Sequence, residues 1–156
     1  MTAEITIKNL NPGRKIDRSE VRRVAARAMG KVCSRKCEVN IVFVADRQIQ
    51  KLNKKYLGKD RATDVLAFQG EGFADDFSGG ANNRETCFLG DIAISSDMAV
   101  RNADIYGTSF KEEIARYVAH GVLHLGGYDD TTARDKETMR KKEDEILQES
   151  RKKIRK

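Results

Sequence analysis

The chain of 156 residues has no tryptophan, one proline, two histidines and three cysteines. The cysteines, Cys33, Cys37 and Cys87, are odd in number and show no framework spacing. The expectation is therefore three thiols in a reducing compartment. A metal site built on Cys33 and Cys37 lacks a second pair to complete it. One proline and 12 glycines argue against a low-complexity chain. No window approaches the roughly 18 apolar residues that span a bilayer. The first residues, MTAEITIKNL, lack a charged segment followed by an apolar one. The expected setting is the cytoplasm, with no membrane partner. A chain of this length buries enough apolar surface to fold without staples, and residues 1–156 read as a single domain.

Charge is abundant and uneven. Lys plus Arg is 30, Asp plus Glu is 24, and the net charge is +6. Arg47 to Arg61 holds six basic residues against one acid, Asp60. The last six residues, RKKIRK, carry five positive charges. A polyanion partner and a solvated helix face with a frayed tail at 151–156 both fit this pattern.

Hydrophobic spacing orders the chain. Glu4 to Leu10 alternates like a strand. A helix capped by Asp17 or Ser19 follows, with Val21, Val24, Ala25 and Ala28 at helical spacing and Gly30 ending or weakening the run. Glu38 to Ala45 is a β-branched strand; Asp46 is placed to cap a helix that ends at Gly58. Thr63 to Phe68 and Cys87 to Ser95 read as strands, joined by a Gly- and Asp-rich loop from Gln69 to Glu85. Three helices follow, starting at Ser95 or Ser96, at Thr108 or Ser109, and at Thr131 or Thr132. The order β-α-β-α-β-β-α-α-α predicts an α+β domain with a small mixed sheet packed by helices.

The chemistry concentrates in HGVLHLGGYDD, from His120 to Asp130. His120 and His124 lie four apart in a predicted helix, so both imidazoles leave one face a turn apart. Phe110, Ile114, Tyr117, Val118, Gly121 and Leu125 form that helix's apolar stripe. The histidines sit roughly 60–100° to one side of it, where a pocket edge would lie. Gly126 and Gly127 allow a sharp turn that can bring Asp129 or Asp130 back to the same ion. Two His and a carboxylate are a recognised zinc donor set with an open fourth position. Spacing alone does not choose between the two aspartates. Gly121 stands where an HExxH protease needs its glutamate base, which disfavours that chemistry.

HGVLHLGGYDD resembles the YbeY family signature, HGxLHLxGYDH. LNKKYLGKDRATDVLAF, from Leu52 to Phe68, is similar to the family's LNxxYRxKDxPTDVLSF, and GDIAIS, from Gly90 to Ser95, to its GDIxIS. The three motifs occur in the family's order between Leu52 and Asp130. The resemblance implies a zinc-dependent endoribonuclease of ribosomal RNA maturation, acting on 16S rRNA. It implies single-stranded ribosomal RNA as substrate, and the small ribosomal subunit or its assembly factors as partners. It also implies one zinc per chain, held by His120, His124 and Asp130 at the signature helix and the turn after it. The catalytic group is then a water held on that ion. Lys54, Lys55, Lys59 and Arg61 are the candidates for the RNA track. Asp64 and Asp91, each at a strand edge, are candidates either to orient a ligand imidazole through its second nitrogen or to cap a turn.

Three positions depart from the family pattern. Asp130 replaces a histidine, Leu57 an arginine and Ala62 a proline. A carboxylate in place of an imidazole lowers the charge of a zinc site from about +2 to about +1. Leu57 removes a cation near the expected RNA path, and Lys59 or Arg61 could substitute for it. The losses at Leu57 and Asp130 leave an alternative: a ribosome-associated RNA-binding assembly factor with a structural metal and weak or lost catalysis.

Overall fold

A computed structural model describes residues 3–70 and 86–154, with side chains through residue 149. Four strands form one sheet: β1 (Ala3–Asn9), β2 (Lys36–Val44), β3 (Val65–Gln69) and β4 (Thr86–Ser95). Their order is β1-β2-β4-β3, parallel except for β3, which runs antiparallel to β4 at an edge. The helices are α1 (Arg18–Val32), α2 (Asp46–Leu57), α3 (Ser96–Tyr106), α4 (Phe110–Leu125) and α5 (Ala133–Ile154). The α+β mixed-sheet fold and its element order are as the hydrophobic spacing predicts.

Alternation in the strands creates two different faces. Val39, Ile41 and Phe43 of β2 and Ile92 and Ile94 of β4 join the main core. Val21, Val24, Ala25, Ala28 and Met29 of α1 pack into it at helical spacing, with Ile114, Val118 and Val122 of α4. Met139, Ile146 and Leu147 attach α5 to the same core. On the opposite face, Ile49 of α2 packs with Val44, Leu66 and Ala93 in a smaller cluster.

Several local details differ from expectation. The first helix passes through Gly30 to Val32. Asp46 does not cap α2; Ala45 is the N-cap residue, and its N–H donates to the Gln48 side chain at 2.7 Å. Asp46 instead accepts from the Ser95 hydroxyl at 2.9 Å and pairs with Arg101. Helix α5 continues to Ile154, through most of the expected frayed tail. Cys33 and Cys37 form a disulfide, so only Cys87 is a free thiol, not three. The bridge links the C-cap of α1 to the start of β2 across four positions. The predicted loop from Gln69 to Glu85 falls mostly on residues 71–85, outside the described residues. Among the described residues, no helix is long and apolar enough to cross a membrane.

Candidate metal centre

Helix α4 begins with a capping box: the Ser109 hydroxyl accepts from the Glu112 N–H, and Glu112 accepts from the Ser109 N–H, each at 3.1 Å. Gly121 lets the helix lie close to the sheet, since a Cβ there would meet Ile92 at 2.8 Å. The histidines on the helix flank are consequently half-buried, with His120 22% and His124 38% exposed. Their ring centroids are 5.6 Å apart.

The double glycine closes the helix. Gly127 has φ +102°, in the region that favours glycine. Its N–H donates to the His124 carbonyl at 3.1 Å, and the Tyr128 N–H donates to the Leu123 carbonyl at 3.1 Å. These are the paired bonds of a Schellman turn. Asp129 then uses its Oδ1 to accept from the Asp130 N–H at 2.8 Å. Asp130, rather than Asp129, joins the histidines in a cluster whose ligand atoms all lie within 4.8 Å.

Hydrogen bonding orients both imidazoles. His124 Nδ1 lies 2.9 Å from the Tyr128 carbonyl, which can only accept, so Nδ1 carries the proton. His120 Nδ1 lies 2.8 Å from Glu143 Oε2. Each ring is left with Nε2 toward Asp130: His120 Nε2 at 3.4 Å from Oδ2, and His124 Nε2 at 3.9 Å from Oδ1. Tetrahedral zinc with bonds of about 2.1 Å sets its donors about 3.4 Å apart. The donor set and its spacing therefore fit a divalent cation. His–His–Asp is a borderline N/O set, suited to zinc.

Glu143 has the surroundings of a positioning group. Only 7% of its side chain is exposed, and it accepts from Arg116 Nη1 at 2.8 Å as well as from His120. Arg116 also donates to Asp144 at 2.8 Å. Burial works against the charged form of His120, but Glu143, with the charges of Asp130 and Asp64, outweighs it and raises the pKa. Burial likewise opposes the Arg116 charge, yet its bonds to Asp144 and Glu143 hold the proton more firmly than usual. Sequence reasoning missed Glu143. Its signal was an acid inside the apolar stripe of α5, four residues after Met139 and three before Ile146.

Of the two readings open for Asp64 and Asp91, orienting an imidazole or capping a turn, the first does not occur among the described residues. Asp64 Oδ1 accepts from the Val65 N–H at 2.7 Å, a local turn contact, and reaches His120 through charge alone. Asp91 is exposed and accepts from Asn40 Nδ2 at 3.0 Å. Strand alternation explains the correction: Ile92 faces α4, so Asp91 faces away from it.

The four candidate RNA-track residues lie on α2 and the segment after it, not in the cluster. Lys54, Lys55, Lys59 and Arg61 are exposed. Lys54 pairs with Asp60 at 3.8 Å, and Lys55 Nζ lies 5.2 Å from the Tyr56 ring centroid. Buried Asn53 donates to the Arg61 carbonyl at 3.0 Å, which shapes the turn carrying Lys59 and Arg61. Leu57, last in α2, is 54% exposed.

A family model described as Endoribonuclease YbeY matches residues 6–151. The chain belongs to the YbeY endoribonuclease family. A relative named Endoribonuclease YbeY from Desulforamulus reducens is 45% identical over 114 residues, 71% of each chain. Another of that name from a Thermoanaerobacter species is 40% identical over 114 residues, 70% of this chain and 72% of the relative. The solution structure of TM1509 from Thermotoga maritima is 25% identical, with a TM-score of 0.64 over 97% of this chain and 91% of the other. Membership in YbeY thus accompanies a fold and a His120–His124–Asp130 cluster that can hold a metal ion.

Proposed function

We propose that this chain is a zinc-dependent endoribonuclease that cuts single-stranded RNA in the maturation of 16S ribosomal RNA. The observation that carries the reading is the orientation of the two imidazoles. Each gives its Nδ1–H to a fixed acceptor and turns Nε2 toward one carboxylate, Asp130. Family membership supports the reaction class.

One zinc would be held by His120, His124 and Asp130. When bound, it supplies Lewis-acid charge for a phosphoryl oxygen and makes water nucleophilic at neutral pH. The protein's own groups do the rest. Glu143 and the Tyr128 carbonyl hold the imidazoles in the ligating tautomer. Asp130 partly neutralises the ion. Lys54, Lys55, Lys59 and Arg61 hold the phosphate backbone, and the basic run from Arg47 to Arg61 supports that role. The proposed partners are ribosomal RNA and the small ribosomal subunit or its assembly factors, in the cytoplasm.

Purified protein should carry one zinc per chain, and His120→Ala should lose it. Single-stranded RNA should be cleaved, with activity lost on chelation and in His124→Ala. Cleavage that survives both treatments would refute the metal mechanism. A second reading, an assembly factor with a structural metal, is favoured by exposed Leu57 at the family's arginine position. Tight RNA binding with a loaded metal and no cleavage would select it.

A further inference from the structure

The proposed chemistry uses one face of the sheet, and the other face carries a feature that it does not explain. Helix α2 covers only part of that face, over Val44, Leu66 and Ala93. Beyond it, strand register sets Thr6, Asn40, Asp91 and Phe68 in one row across all four strands. Among the described residues a cleft of about 560 Å³ opens there, lined by Leu52, Tyr56, Phe68, Phe88 and Asp91. Binding clefts for small organic groups span roughly 300–1,000 Å³.

Two aromatic residues dominate its rim. Tyr56 is 56% exposed although it is large and apolar in body. Its ring centroid lies 5.2 Å from that of Phe68, tilted by 59°. Lys55 Nζ lies 5.2 Å from the Tyr56 centroid. Phe68 packs against the smaller cluster, so the pair rests on a firm base. Asp91 is the acid on the cleft floor, and Asn40 donates to it at 3.0 Å. Exposed cations are plentiful on the same helix and the segment after it: Lys51, Lys54 and Lys55 on α2, then Lys59 and Arg61; of these, Lys55 contacts the cleft residue Tyr56. A second hollow, which shares Val42 and Asp91 with the first, extends to Lys8 on β1.

We propose that Tyr56 and Phe68 form a stacking site for a nucleobase of single-stranded RNA. The proposal rests on the RNA-cleaving function above and deepens it. Exposed aromatic faces beside a cationic track are what non-sequence-specific single-strand binding uses. A base arriving on Tyr56 displaces the flexible Lys55 stem, whose ammonium then meets the flanking phosphate. The topology connects this cleft to the metal cluster. Strand β3 lies at the sheet edge with α4, which carries the two histidines, packed against it, and residues 58–64 lead from α2 to the start of β3. An RNA strand that rounds this edge is anchored on one face and cleaved on the other. The density of lysines favours a polyanion over a protein partner here.

The test uses the whole chain with its metal removed by chelator, so that RNA survives. The probe is a uridine oligomer of about 12 nucleotides with one 2-aminopurine, within the ~4–16 nucleotides that such grooves cover. Wild type should bind it and quench the 2-aminopurine. Tyr56→Ala should bind about 5- to 150-fold more weakly and lose the quenching. Tyr56→Phe should keep both. Lys55→Gln should reduce the slope of log affinity against log salt by about 0.7, a change that Tyr56→Ala should not make. Tyr56 is exposed, so its replacement leaves the core intact. Unchanged affinity and fluorescence in Tyr56→Ala would overturn the stacking site and leave the cleft to a protein partner. If that variant behaves as wild type while wild type still cleaves RNA, only the stacking site falls. If wild type binds no RNA, the underlying function falls with it.

Discussion

Glu143 offers the most incisive perturbation of the metal centre. It contacts no proposed substrate, and its side chain is 7% exposed. It would act on a bound ion through His120, 2.8 Å away. Groups that orient a ligand imidazole typically contribute 10–100-fold to metal affinity. That range equals about 1.4–2.7 kcal/mol. In Glu143→Gln the amide oxygen can still accept the His120 Nδ1–H, so the loss should be near tenfold. In Glu143→Ala the proton loses its acceptor, and the loss should approach a hundredfold. Arg116 keeps Asp144 in both variants, which limits the damage to the fold. The assay is competition for zinc with a chromogenic chelator, with circular dichroism to confirm folding. The pH of measurement matters. Glu143 contributes to the raised pKa of His120, so its removal also weakens proton competition for the ligand. The full deficit should appear near pH 8 and shrink toward about pH 6, where protons compete for histidine. A folded Glu143→Ala protein that bound zinc as tightly as wild type near pH 8 would refute the reasoning.

The remaining predictions concern pH and the turn. Because the folded pKa of His120 is raised, its stabilising contribution in metal-free protein is complete below the unfolded value of about 6.5. It is lost as pH rises through the folded value, so chelated protein should melt lower across that window. Zinc needs neutral imidazoles, so the stabilisation it adds should grow over the same range; parallel melting curves with and without zinc would contradict this. Asp130→His leaves the site more positive by about one charge and should move the pH–rate profile of RNA cleavage to lower pH; an unchanged or upward-shifted profile would count against it. Gly127→Ala places a side chain at φ +102°. It should cost about 1–2 kcal/mol, a fall in Tm of roughly 2–8 °C. It should also weaken zinc binding, since Asp130 hangs from that turn; unchanged melting and zinc affinity would speak against a strained turn.

The parts of the molecule that were legible in the sequence are those set by local periodicity. Val21, Val24, Ala25 and Ala28 announce α1, and all are buried against the core. The Ser109 cap and the Gly58 stop follow from short-range backbone chemistry and occur where expected. His120 and His124 share a helix flank because four residues make about one turn. What was not legible depends on which distant group a side chain meets. Glu143 lies 23 positions from His120, and no local pattern pairs them. For Asp91, at a strand edge in the sequence, an orienting role and a turn cap both stay open. Only the packing of Ile92 against Gly121 shows that the acid points the other way.

The choice between Asp129 and Asp130 shows how the two kinds of information combine. Both follow the double glycine, and both carry the same donor. The Schellman bonds from Gly127 and Tyr128 fix where the chain leaves α4. The Tyr128 carbonyl is then held by His124 at 2.9 Å, so the turn and the ligand ring orient each other. Asp129 is the first acid beyond that point, and its carboxylate is already used. It accepts from the Asp130 N–H at 2.8 Å, and bonds to Thr131 and Asp130 lower its pKa. A carboxylate engaged in closing its own turn is a poor candidate to leave it for an ion. The same closure swings the next side chain inward, so Asp130 reaches both Nε2 atoms. Which aspartate joins the histidines is therefore selected by the backbone rather than by residue type. This explains how the family's histidine position can become aspartate here while the three donors still converge.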